Sequence, residues 1–385
     1  MAINLSRNTR LWVSTEKIDG THDSSNTFEI PVQEGYSLSQ SVSTVDVSVE
    51  EAGPVPTRGG KRFNASLDPV EWSFSTYFNP YVHQDGNTYA VDMLLWHAIS
   101  NSNNIEPDFD NISTNSEVYG ETNKFLVGFG NNAAHEMTKL YLYFKIDNDV
   151  YYIDNAQVGQ GSVSIDISDI AMVAWSGNGI SYNRVPTPAF ISSGVGGIYD
   201  STAPADDYVA IPTNKKYLIN KLTTMSFQSD VSGTNLHYSV PITGGSIDIN
   251  NNITYLTPNT LAEVDVPIGS FTGSFEVSGS LEAYLRDNGN DGSTSLLAKG
   301  TTELLEDMLA NTNKITNVTN IVMNVGGETP GSPQVSIKMP KTHIAVPSLS
   351  VDDVVSTSIE FKAMPGSDNL QSGTEISVEM TTSKV

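Results

Sequence analysis

The sequence of 385 residues contains no cysteine. That single absence excludes a disulfide scaffold, a thiolate metal site and a cysteine nucleophile, while leaving the redox compartment open. Basic residues are also scarce: 20 Lys and Arg stand against 44 Asp and Glu, for a formal net charge of −24. Capture of a phosphate backbone needs clustered cations, so such a surface disfavours tight nucleic-acid binding. An acid excess keeps a chain soluble and repels any polyanion passing close by. No apolar run reaches the 18 residues of a transmembrane helix, and the opening Met1 to Arg7 lacks the apolar centre of a secretion signal. The chain is expected to be made without a leader and to work away from membranes.

What is present repeats. Ile30-Pro31-Val32-Gln33-Glu34-Gly35 returns as Val240-Pro241-Ile242-Thr243-Gly244-Gly245. After each, the order is the same: two long alternating strands, a loop, a short amphipathic helix, a strand and a closing strand pair. Self-similarity on this scale means one β-rich unit used twice. The expected division is a first domain over 1–181, a Pro/Gly-rich linker or arm over 182–214, and a second domain over 215–385. Each domain is long enough to bury its own core.

In the first half Val45, Val47 and Val49 alternate with Asp46, Ser48 and Glu50. Beyond the Gly/Pro loop 52–60, Phe63, Ala65 and Leu67 alternate with Asn64, Ser66 and Asp68. Period-two alternation marks strands with one dry and one wet face. Val91, Leu94, Leu95 and Ala98 form a helical stripe at i, i+3, i+4 and i+7. Leu140–Ile146, Val150–Ile153, Val163–Ile167 and Ala171–Trp175 read as four strands, followed by a turn at Gly177-Asn178-Gly179. In the second half Ser246–Thr257 and Ser270–Leu285 read as the long hairpin, with Glu276, Ser278, Ser280 and Glu282 on its polar side. Thr302–Ala310 reads as the helix. Ile321–Val325, Val335–Met339 and Val351–Phe361 read as the closing strands, ending at Pro365-Gly366.

The candidate chemistry is thin. Gly128-Phe129-Gly130-Asn131-Asn132-Ala133 fits a relaxed dinucleotide fingerprint, but the next element is a strand at Leu140 and no helix opens at the glycines. Asp287-Asn288-Gly289-Asn290-Asp291-Gly292 opens like a calcium loop, yet Gly289 and Ala298 stand where oxygen ligands belong. The 6 histidines are scattered, with no HExxH, so no zinc motif is present. Tyr141, Tyr143, Tyr151 and Tyr152 are strand aromatics, which serve as core, interface or a sugar-binding platform. Arg58, Lys61 and Arg62 form a basic cluster at the tip of the first hairpin, either solvated or set against an acidic partner such as another copy of this chain. No catalytic constellation, metal site or cofactor site emerges. The residues describe a building block rather than an enzyme; a tandem β-sandwich binding or adhesin module recognising carbohydrate or a cell surface is the competing reading.

The order of elements resembles the tail tube proteins of long-tailed bacteriophages. Asn8-Thr9-Arg10-Leu11-Trp12-Val13-Ser14 is similar to that family's opening. Ile344 to Asp353 and Ser358 to Ala363 are similar to its ending. The resemblance implies a mainly β fold of two tandem β-sandwich or barrel domains, each with a long hairpin and one short helix. It implies rings whose hairpins merge into one inner β-barrel, stacked into a tube that carries DNA into the host. Because this chain doubles the usual single domain, the implied ring has three chains and pseudo-sixfold symmetry. Asp46, Ser48, Glu50, Asn64, Ser66, Asp68, Glu276, Ser278, Ser280 and Glu282 would then face the lumen, with no Lys or Arg on those runs to trap phosphates. Arg58, Lys61 and Arg62 would make inter-ring contacts. The implied partners are further copies of the chain, tape-measure, terminator and baseplate or tip proteins, and DNA in transit without tight binding. The implied place is the virion tail, assembled in the host cytoplasm.

Overall fold

A computed structural model describes residues 9–15, 17, 27–47, 60–83, 86–101, 118–120, 124–129, 136–147, 149–185, 214–231, 234–257, 267–287, 299–310, 318–327, 332–351, 354–365 and 374–383. The architecture is mainly β, with two short α-helices among these residues.

The first half opens with β1 (Thr9–Ser14) and β2 (Thr27–Ile30), then the hairpin β3 (Ser37–Val47) and β4 (Lys61–Tyr77). Short strands β5 (Pro80–Val82) and β6 (Thr88–Ala90) lead into α1 (Met93–Ser100). The expected stripe is present, but every residue of α1 is buried, so it is a core helix covered on all sides. Next come β7 (Val118–Gly120), β8 (Phe125–Gly128), β9 (Leu140–Ile146), β10 (Asp149–Asp166), β11 (Met172–Gly179) and β12 (Ser181–Val185).

Two expectations need correction here. Val150–Ile153 and Val163–Ile167 belong to one 18-residue strand, β10, bent by register shifts between Ile153 and Ala156 and between Val158 and Gln160. Bulges of this kind let a single strand serve two sheets. Gly177-Asn178-Gly179 is no turn: β11 runs through it, and Gly177 lies flat under the Trp72 ring.

The second half holds a 3-10 turn at Asn220–Leu222, β13 (Thr224–Val231), β14 (Thr234–Ser239), β15 (Ile242–Asn250), β16 (Ile253–Leu256), β17 (Gly269–Thr272), β18 (Glu276–Tyr284) and α2 (Thr301–Leu309). It closes with β19 (Thr319–Gly326), β20 (Gln334–Ile344), β21 (Ser348–Val351), β22 (Val355–Ala363) and β23 (Ser377–Thr381). The hairpin expected as two unbroken strands is interrupted. Asn252 sits at φ 47° between β15 and β16, a left-handed conformation that asparagine tolerates and most residues avoid. The expected strand Val351–Phe361 is likewise two strands, β21 and β22. Of the linker expected over 182–214, Tyr182 to Val185 belong to β12, and 186–213 lie outside the described residues.

Pairing in the two halves follows one pattern. β9–β10 steps from Leu142↔Ile153 to Leu140↔Ala156; β19–β20 steps from Ile321↔Met339 to Thr319↔Thr342, the same irregularity. β10–β11 aligns Ser162↔Ala174 and β21–β22 aligns Ser348↔Ser358. β4–β11 and β18–β22 match as Tyr77↔Met172 and Tyr284↔Ser356. β3–β4 and β15–β18 match as Ser37↔Ser73 and Ser246↔Ser280. The halves also join each other. β10 pairs with β15 from Gln160↔Asn250 to Asp166↔Gly244, and β23 pairs with β8. A single antiparallel sheet therefore runs β3-β4-β11-β10-β15-β18-β22-β21 through both halves.

Candidate functional site

Cross-strand neighbours in an antiparallel ladder point to the same side, so the registers sort the faces of this sheet. One row reads Thr76, Val173, Val163, Ile247, Gly279 and Phe361. Its members are all buried apart from the half-buried Gly279, and they pack on the core with α1. The next row reads Ser37, Ser73, Ser176, Gln160, Asn250 and Glu276, polar at each of six strands. Beside it runs Ser75, Ala174, Ser162, Asp248, Ser278 and Lys362. Beyond that runs Tyr77, Met172, Ser164, Ser246, Ser280 and Glu360. The result is one wet face, continuous from the first half into the second. Its charges are Glu71, Asp166, Asp248, Glu276, Glu282 and Glu360 against Lys362, whose Nζ lies 2.5 Å from Glu276 Oε1. A recess of about 430 Å³ on this face lies among Ser39, Glu71, Gln160, Asn178 and Asn250.

Glu276, Ser278, Ser280 and Glu282 stand on this face together, while Val277, Leu281 and Ala283 point into the core. The first-half set is divided. Two irregularities, between Gln40 and Val42 and between Ser43 and Thr44, each insert an extra residue in β4. Asn64 consequently faces Thr44, whereas Ser66 faces Ser43, and adjacent β3 residues point to opposite sides. Asp68 falls within the first irregularity. Asp46 faces Arg62, and Lys61 faces Val47. Ser48, Glu50 and Arg58 lie outside the described residues. The residues that carry the wet face in the first half are instead Ser37, Ser39, Glu71, Ser73 and Ser75, with Ser162, Ser164 and Ser176. Their signal was the serine-rich alternation in Ser37–Ser43 and Glu71–Ser75.

The expectation that no cation stands on the polar runs is corrected. Arg62 Nε and Nη2 donate to Asp46 Oδ1 and Oδ2 at 2.6 and 3.0 Å, and that pairing holds the Asp46 carboxyl below the usual range. Both side chains are exposed, on a two-stranded ribbon formed where β3 and β4 outrun the rest of the sheet.

Behind the face, Thr76 Oγ1 donates to the buried Asp92 Oδ2 at 2.9 Å and accepts from Trp175 Nε1 at 2.8 Å. Burial pushes the Asp92 carboxyl up to about 6. Burial also lowers His97, five residues further along in α1, to about 4. Both groups are sealed away from solvent and serve the core.

The tyrosines are packed rather than laid out as a platform. Tyr143 is buried and stacks on Tyr152 at 5.7 Å between centroids, and Tyr151 stacks on Tyr182 at 5.5 Å. Phe125–Gly128 is a strand of the sheet, paired with β7 and β23, and 130–135 lie outside the described residues. Among the described residues no cluster of three His, Asp or Glu side chains is placed to hold a metal ion.

The model of the family described as phage tail tube protein matches residues 107–363. The chain is 40% identical over 377 residues to "Tail tube protein pb6" of Escherichia phage T5, across 97% of this chain and 75% of that protein.

Proposed function

This chain belongs to the phage tail tube protein family, a structural component of the virion tail, and from that footing we propose that three copies close into a ring and that rings stack into the DNA channel. The two halves, 1–181 and 215–385, act as tandem tube units, so three chains supply six. The observation that carries this reading is the wet face that crosses six strands and both halves without interruption. An antiparallel sheet with one polar face of small hydroxyls and carboxylates keeps that side wet. A closed wall gains an aqueous lumen. Serine and carboxylate offer phosphates no cation to rest on, and Lys362 is already engaged by Glu276. DNA therefore slides along the wall without adhering.

The lumen residues of this reading are Glu276, Ser278, Ser280 and Glu282 in the second half, with Ser37, Ser39, Glu71 and Ser73 in the first. Lys61 and Arg62, at the start of β4, would meet the acidic surface of the next ring in this reading, together with Arg58. Tape-measure, terminator and baseplate or tip proteins are the expected neighbours at the tube's inside and ends. Negative-stain electron microscopy and mass measurement of the purified protein test the proposal. Stacked rings of three chains with a central hole are expected. Dispersed monomers at high concentration, or rings of six chains, would overturn it.

A further inference from the structure

The junction between the halves serves as a template for the junction between chains. We propose that copies join through an antiparallel ladder between Ser37–Ser41 of one chain and Val346–Ser350 of the next, in the register Ser37↔Ser350, Ser39↔Ser348 and Ser41↔Val346. This inference rests on the ring assembly proposed above and adds the surface and register that close it.

The register follows from the four matched ladders. Ser162 and Ala174 correspond to Ser348 and Ser358, so Gln160, Ser162 and Ser164 correspond to Val346, Ser348 and Ser350. Ser37 and Ser73 correspond to Ser246 and Ser280, so Ser37, Ser39 and Ser41 correspond to Ser246, Asp248 and Asn250. Within the chain, Gln160, Ser162 and Ser164 pair with Asn250, Asp248 and Ser246. Carrying that ladder over to the equivalent strands gives the stated pairs. Pro347 withholds at most one N–H from it.

Both edges are open. Among the described residues β3 pairs with β4 alone and β21 with β22 alone. An exposed strand edge is a template for another chain unless it is blocked by charge or a bulge. Ser348–Val351 carries no charge and is exposed throughout.

Burial supplies an independent sign. Val163 and Ile165, whose strand is flanked on both sides, are 1% and 6% exposed. Their equivalents Leu349 and Val351 are 52% and 75% exposed. The same apolar positions are sealed where the ladder exists and open where it is missing. The ribbons behave alike. β16–β17 lies over the first half, where Tyr255 Oη donates to the Asn178 carbonyl at 2.9 Å and Ser270 Oγ donates to Gln157 Oε1 at 2.6 Å. The matching ribbon of β3–β4 leaves Val45, Val47 and Phe63 at 57%, 44% and 59% exposure. A bare two-stranded ribbon is marginal alone, so it takes the second half of the neighbouring copy as its support.

The absence of cysteine makes the test clean. Paired residues in a ladder have Cα atoms about 4.5–5.5 Å apart, within disulfide reach. In one chain Ser39 and Ser348 are separated by seven inter-strand steps of about 4.8 Å each, so they do not bridge intramolecularly. The double variant Ser39→Cys with Ser348→Cys is assembled and oxidised, and a covalent species that stops at three chains and collapses on reduction is expected. Mixing the two single variants is expected to give covalent dimers only. Ser43→Cys with Ser348→Cys, four residues out of register and about 13 Å away, is expected to stay uncross-linked. Rings visible by microscopy without the Ser39–Ser348 cross-link, or with faster linkage of the Ser43 pair, would overturn the ladder while leaving the ring standing. Absence of rings from the unsubstituted protein would overturn both.

Discussion

Trp72 lies directly across from Gly177, so close that a Cβ on Gly177 would stand 2.7 Å from Trp72 Cζ2 and would run into the Gln157 carbonyl oxygen. At the matching step of the second half the sizes are exchanged: Gly279 lies across from Phe361, and a Cβ there would meet Phe361 Cζ at 2.5 Å. An aromatic ring over a strand glycine fills what the missing side chain leaves open. Gly177→Ala and Gly279→Ala are therefore expected to cost about 1–3 kcal/mol each through overpacking. Gly269→Ala, with nothing within 4 Å of its Cβ, is expected to stay within about 0.5 kcal/mol of the parent. Thermal unfolding of the three variants checks this, and equal midpoints for Gly177→Ala and Gly269→Ala would sink it.

The same exchange explains why the repeat is legible as a pattern and faint as identity. Packing conserves the sum of a Trp–Gly or Gly–Phe pair, not the residue at either place. The alternation in Glu276–Tyr284 was readable because one side of β18 is dry and the other wet. The first-half assignment was not, because each irregularity in β4 switches the face while the local sequence still alternates. In sequence β10 reads as two strands because its middle bends between sheets, and nothing local in Asp154–Gly161 tells a bulge from a loop. β23 carries no sequence signal of its own: its five residues pair only because β8 and β20 flank them, and those partners lie far away in sequence.

Asp92 and His97 give opposed pH dependences. Asp92, raised to about 6, makes the folded state bind a proton that the unfolded state lacks between pH 6 and 4. Stability from this group rises as pH falls through that window. His97, lowered to about 4, is neutral when folded and charged when unfolded between pH 6.5 and 4. Stability from it falls over nearly the same window. Each effect is worth about 3 kcal/mol at roughly 1.4 kcal/mol per pH unit, so they nearly cancel. Asp92→Asn is expected to raise stability at pH 7 and to expose the acid destabilisation due to His97. His97→Gln is expected to make the protein more stable at pH 4.5 than at pH 7. Denaturant titrations from pH 4 to 7 read both slopes; parallel profiles for parent and variants would refute the pairing.

Arg62 is held by Asp46 with two hydrogen bonds, on a ribbon where both are exposed. The lowered carboxyl keeps the pair intact at neutral pH, and it is lost only when pH falls below the usual carboxylate range. Asp46→Asn is expected to leave the melting temperature unchanged, as exposed pairs contribute little. It frees a guanidinium, so the unassembled protein is expected to retain heparin or duplex DNA more strongly, with a steeper dependence on salt. Elution from heparin at graded salt measures this. Identical elution for parent and variant would show that the pair does not mask a phosphate contact.

Leu349 and Val163 occupy equivalent positions, one 52% and the other 1% exposed. The same substitution is therefore expected to act on different steps. Val163→Asp places a charge inside the sheet core without a partner, a cost of several kcal/mol, and is expected to prevent folding. Leu349→Asp places its charge in water in the monomer, so circular dichroism and the melting temperature are expected to match the parent. It becomes costly only when a neighbouring β3 covers it, so the variant is expected to stay monomeric by size-exclusion chromatography. Val351→Asp is expected to behave like Leu349→Asp, whereas Ile165→Asp is expected to behave like Val163→Asp. A Leu349→Asp protein that forms rings as readily as the parent would show that this edge is not where chains meet, whatever the rings look like.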